Sequence, residues 1–218
     1  MSITVRPTSP CISAVDAQTV DEGLRVIARK GATSIAQVLL QQQAPTRVCN
    51  VAAQLPSVGN NAYDLLEELR SAGVVARSGD HTAVSFALTD RGRALPPVHR
   101  ALSEWSQRHF PLGPMTPAER IEDAARRLHP RRSTAVIQVL DAYGSRPMVD
   151  LAALVGMRAG YLHRRLATLH KDGLVTREAH RGAHYRLTAA GRALAPVYAA
   201  VERWYAHDAH GDGREPGR

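Results

Sequence analysis

The sequence predicts a mainly α chain with small β-hairpin wings, arranged as two tandem winged helix-turn-helix domains. The first observation behind this is a repeat: LTDRGRALPPVHRALSEW from Leu88 returns as LTAAGRALAPVYAAVERW from Leu187, without a gap. The second is that the match continues upstream, with Ala52, Ala53, Leu66, Leu69, Gly73, Val75 and Arg77 returning as Ala152, Ala153, Leu166, Leu169, Gly173, Val175 and Arg177. The offset there is one residue larger, and the change falls between two short β-prone runs, where a change in loop length costs little. The third is the order of patterns in each copy: helical apolar spacing, a β-hairpin signature, then another helical stripe. A repeat this long that occurs only twice is a duplicated domain, not a solenoid.

Taken in order, residues 1–19 are rich in Ser, Thr and Pro and read as an arm. The first domain, 20–110, shows helical spacing near 20 to 29, 33 to 43 and 47 to 54, then a turn at LPSVGN and a helix from Asn60 to Ala72 that Gly73 stops. Val74 to Arg77 and Val84 to Leu88 read as an antiparallel hairpin turning at SGDH. Thr89 suits the cap of a last helix with a stripe at Leu95, Val98, Leu102 and Trp105. Pro97 removes a donor and crowds the preceding turn, so that helix must bend or restart there. The linker, 111–117, carries three prolines and ends in a Thr-Pro that suits a helix start. The second domain, 118–209, repeats the order with the stripe Leu194, Val197, Val201 and Trp204, and with Pro196 in place of Pro97. Residues 210–218 have no apolar anchor and read as a disordered tail.

Composition narrows the partners. Of 218 residues, 44% are hydrophobic, enough for two small cores, and 28 Lys plus Arg against 20 Asp plus Glu leave a net charge of +8, which favours a polyanion. No apolar run is long enough for a membrane span, and the start MSITVRPTSP lacks a signal core, so a cytoplasmic protein is expected, without membrane partners. Cys11 and Cys49 make no disulfide framework, and the ten histidines do not gather a zinc set. With no phosphate loop, nucleophile motif or paired carboxylates, no catalytic residue, metal or cofactor is expected, and the chain reads as a non-enzyme.

In each copy two helices joined by a tight turn precede the hairpin: Val48 to Leu55 with Asn60 to Ala72, and Val149 to Leu154 with Ala159 to Lys171. Such a pair lets its second helix lie in a DNA groove. The two second helices differ in charge. Residues 58–72 hold Arg70 against Asp64, Glu67 and Glu68, whereas 157–171 hold Arg158, Arg164, Arg165 and Lys171 with no acid. Phosphates repel the first face and attract the second. Arg158 and Arg164 suit bidentate contact with guanine, Tyr161 contact with sugar or a thymine methyl, and Arg165 and Lys171 the phosphates. In the second wing, His180, Arg181 and His184 suit backbone or minor-groove contact. Asn60 and Asn61 suit adenine, but also the cap of a helix.

The runs LLEELRSAGVVAR from Leu65, LTDRGRALPPVHRALSEW and, more closely, RRLATLHKDGLVTREAHRGAHYRLTAAGRAL from Arg164 resemble HxlR-type bacterial regulators of the MarR-like group. Where that family's pattern has Lys-Trp before the second helix, this chain has Lys30-Gly31 and Arg131-Arg132, and Cys11 lies upstream of the position of a redox-sensing Cys. The resemblance implies a bacterial, nucleoid-associated, sequence-specific transcriptional regulator that binds double-stranded DNA, possessing an unidentified small-molecule effector. Relatives of this type are single-module homodimers, so two modules in one chain imply an internal pseudo-dimer and a monomer. The alternative is a tandem winged-helix module for protein-protein interaction, which the acids of the first helix favour.

Overall fold

The computed structural model describes residues 12–42, 44–56, 58–79, 84–111, 113–178 and 183–206. In its first half, α1 (Ala17–Ile27) and α2 (Ala32–Gln42) lead through β1 (Thr46–Arg47) to α3 (Val48–Gln54) and α4 (Ala62–Ser71). Then come β2 (Val75–Ser78), β3 (Ser85–Leu88), the single turn α5 (Asp90–Arg93) and α6 (Pro96–His109). The second half repeats the order: α7 (Pro117–Leu128), α8 (Ser133–Tyr143), β4 (Arg146–Pro147), α9 (Met148–Val155), α10 (Ala159–Lys171), β5 (Val175–Arg177), β6 (His184–Leu187), α11 (Ala189–Arg192) and α12 (Ala195–Ala206).

Local chemistry explains most boundaries. Thr116 and Glu119 form a capping box at the start of α7, with Pro117 at a position where the missing amide hydrogen costs nothing. Thr89 Oγ1 accepts from Gly92 N at 3.1 Å and donates to Gly73 O at 2.6 Å, and Thr188 Oγ1 does the same with Gly191 N at 3.1 Å and Gly173 O at 2.7 Å. This is why the repeated motif carries Leu-Thr and then Gly. A Cβ at Gly92 would collide with Val74 O, and one at Gly191 with Leu174 O. Pro97 and Pro196 sit in the first turns of α6 and α12, so the helix restarts at the prolines.

Two expectations are corrected. Each sheet has three strands, in the orders β1-β3-β2 and β4-β6-β5, because β1 and β4 add short antiparallel edges through Thr46↔Phe86 and Arg146↔Tyr185. A two-residue strand has no alternation to read. The arm is also shorter than residues 1–19. Ile12 opens a 3-10 turn, is 1% exposed, and its carbonyl accepts from Gln138 Nε2 of α8 at 3.0 Å. Asp80 and His81 of the SGDH turn lie outside the described residues.

The core is continuous across both halves, and the stripes Leu95, Val98, Leu102, Trp105 and Leu194, Val197, Val201, Trp204 are all buried in it, with α6 packed on α12. The first helix of each half lies against the other half: α1 packs on α12 and α8, and α7 on α6 and α2. Hydrogen bonds follow the same exchange. On α1, Asp21 accepts from Arg132 N at 2.6 Å and Thr134 Oγ1 at 2.5 Å, capping α8. On α7, Glu122 accepts from Gly31 N at 3.0 Å and Thr33 N at 3.2 Å, capping α2. Burial raises the pKa of both carboxyls, and these hydrogen bonds oppose the rise. The repeated tryptophans also cross: Trp105 Nε1 donates to Ala190 O at 3.0 Å and Trp204 Nε1 to Arg91 O at 2.9 Å.

Candidate nucleic-acid interface

In the second half α9 ends at Gly156, whose left-handed backbone (φ 65, ψ 40) reverses the chain toward α10. Leu162, Leu166 and Leu169 are fully buried and fix which side of α10 faces inward. The opposite side is therefore open. It presents Arg158, Tyr161, His163, Arg164 and Lys171, with Tyr161 58% exposed. The Arg164 guanidinium lies 4.8 Å from the centre of the Tyr161 ring, a stack that orders both groups on the surface. Nothing lies within 4 Å of where a side chain at Gly160 would begin, so the first turn of α10 is open at that position.

The other site residues are placed differently. Arg165 departs from the expectation of an open phosphate contact: it is half-buried beside the Asp21 carboxylate, its Nε is buried without a partner, and burial lowers its pKa while Asp21 opposes that shift. His184 is half-buried in β6 opposite Pro147, and its backbone bonds Glu178. His180 and Arg181 lie outside the described residues. Asn61 stands at the N-cap of α4, yet its side chain makes no capping hydrogen bond, which corrects the expectation of a cap. The side chain of Asn60 lies outside the description.

Helix α4 presents a different face. Glu67 pairs with Arg70 at 2.7 Å and Arg77 at 3.8 Å, and Glu68 pairs with Arg29, between α1 and α2, at 3.3 Å. Its acids are thus partly neutralised within the chain, and Tyr63 is 42% exposed beside them.

Beside α10 an open cleft of about 1150 Å³ runs between α1, the corner joining α7 to α8, and the α9–α10 turn. It is lined by Arg158, Tyr161, Arg164 and Arg165 together with Arg25, Arg131 and Arg132. Sequence reasoning did not find Arg25 or Arg131 as site residues. They lie outside the helix-turn-helix pair, and only the fold carries α1 across to the second half.

Residues 131–211 match the family described as HxlR-like helix-turn-helix. The matched stretch covers α8 to α12, which includes the helix pair α9–α10 and the sheet of the second half, and the match supports a DNA-binding transcription regulator. No curated protein and no solved structure matches the chain. Among the described residues no three His, Cys, Asp or Glu side chains gather as metal ligands, and no helix is long and apolar enough to cross a membrane.

Proposed function

We propose that the chain is a sequence-specific transcriptional regulator in which two winged helix-turn-helix domains, 20–110 and 118–209, form an internal pseudo-dimer. The carrying observation is the outer face of α10, where Arg158, Tyr161 and Arg164 stand exposed on a helix without an acidic residue. Arg158 and Arg164 read bases; Lys171, His180, Arg181 and His184 serve the backbone, and Arg165 adds charge half-buried beside Asp21. The first domain contributes less to reading, since the acids of α4 repel phosphates, and Asn60 and Asn61 are its candidate contacts. The exchanged helices and crossed tryptophan bonds support a monomer, because they satisfy within one chain the faces that separate copies would share. An effector and a bacterial cytoplasmic setting belong to the same reading.

The test is titration of labelled duplex at several salt concentrations, with light scattering on the free protein. Affinity that falls steeply with salt, from a monomer, supports the reading. Absence of binding at low salt defeats regulation by DNA, and a stable dimer at micromolar concentration defeats the pseudo-dimer. The paired acids and exposed Tyr63 of α4 favour a second reading, a protein-interaction module, which predicts no DNA affinity.

A further inference from the structure

Arg25, on α1 of the first half, lines the cleft beside the basic helix of the second half as well as a smaller one beside α4. Three acids line the cleft beside α10 as well, against six arginines, and each accepts hydrogen bonds within the chain. Asp16 accepts from Thr19 N at 2.8 Å, Asp21 caps α8, and Glu22 accepts from Gln18 Nε2 at 3.0 Å. No ion pair or hydrogen bond engages the side chains of Arg25, Arg131 or Arg158 among the described residues, and all three are exposed. Arg132 differs, since its Nη1 donates to Val155 O at 3.3 Å and Gly156 O at 3.2 Å and so braces the turn before α10. The smaller cleft beside α4, about 570 Å³, is lined by Arg25 and Arg29 but also by Asp64, Glu67 and Glu68. Of these two clefts, the one beside α10 holds more arginines than acids, six against three.

We propose that this cleft is a phosphate track, in which Arg25 from the first half and Arg131 from the α7–α8 corner hold the DNA backbone flanking the bases that α10 reads. The exchange of α1 makes this possible. It moves a cation of the half with the acidic helix onto the DNA face of the half with the basic one. The first half therefore serves binding through α1, and the footprint extends beyond the helix-turn-helix pair toward the middle of the molecule. The inference rests on α10 binding DNA.

Arg25→Gln and Arg131→Gln, each alone and combined, test it in salt titrations against a preferred duplex and a scrambled one. Each loss of a phosphate contact makes the slope of log K against log salt shallower by about 0.9, which at about 0.1 M salt is roughly an eight-fold loss of affinity. That loss is the same for both duplexes, because phosphates carry no sequence. Arg131→Lys keeps the slope, and unchanged melting temperatures show that the variants are folded. Parental slopes in both glutamine variants, or a loss confined to the preferred duplex, overturn the phosphate track while leaving DNA binding by α10 in place. If the parent binds neither duplex at low salt, the reading of α10 fails and the track fails with it.

Discussion

Removing the Asp21 carboxylate tests whether the two halves are held as one unit. The group accepts from Arg132 N and Thr134 Oγ1 at the start of α8, and Thr134 is fully buried. In Asp21→Ala those donors lose their acceptor. Loss of a helix cap costs ~1 kcal/mol, and a buried donor left unpaired costs ~1 to 3 kcal/mol. The charge itself offsets part of this, since burial raises the pKa of Asp21 and removing the charge relieves that penalty. The net expectation is about 2 to 3 kcal/mol. For a chain of this length that lowers the melting temperature by roughly 5 to 10 °C. Asp21→Asn keeps one acceptor and sheds the charge, so it costs about 1 kcal/mol. Melting followed by circular dichroism reads both, and one transition is expected for each variant, because α1 and α8 belong to different halves. An Asp21→Ala variant that melts within a degree of the parent, or a separate early transition for one half, refutes the reasoning.

Glu122→Ala repeats the experiment at the other cap, and a loss of about 2 kcal/mol by the same measurement is expected. Trp105→Phe and Trp204→Phe each remove one crossed bond, while Ala190 O and Arg91 O keep backbone bonds from Ala193 N at 3.3 Å and Ala94 N at 3.2 Å, so about 1 kcal/mol is expected in denaturant melts. Arg158→Ala or Arg164→Ala costs ~1 to 3 kcal/mol in binding a preferred duplex with no change in melting temperature, whereas Asn61→Ala, whose side chain makes no cap, changes stability by less than about 0.5 kcal/mol. Burial lowers the His99 pKa to about 4, so the unfolded chain binds the extra proton first. Stability is therefore full above pH ~6.5 and falls as the pH drops toward 4, by up to about 3 kcal/mol. Asp21 and Glu122 act in the opposite sense, because their raised values mean that acid relieves their burial. The difference between the parent and His99→Phe across that range isolates the histidine, and equal pH profiles contradict its assignment.

The sequence showed the repeated helices because their periodicity is long and regular, and the Thr caps and proline restarts because each acts through its own neighbours. It did not show β1 or β4, whose pairing is decided by β3 and β6 rather than by two residues of their own. The exchange of α1 and α7 was also hidden. An amphipathic helix such as Ala17–Ile27 records that it must be covered, but not which half covers it. At the interface the charge contrast between α4 and α10 was plain from composition. The half-burial of Arg165 beside Asp21 was not legible because it depends on that same exchange, and Arg25 and Arg131 were missed because they reach the cleft only through tertiary structure.

The central claim is that α10 reads DNA sequence, and selection of bound duplexes from a random pool tests it most directly. The parent is predicted to enrich a motif at low salt, and a chain carrying both Arg158→Ala and Arg164→Ala is predicted to lose that enrichment while melting like the parent. Enrichment that survives in the double variant, or a parent that retains no duplex at all, contradicts the claim.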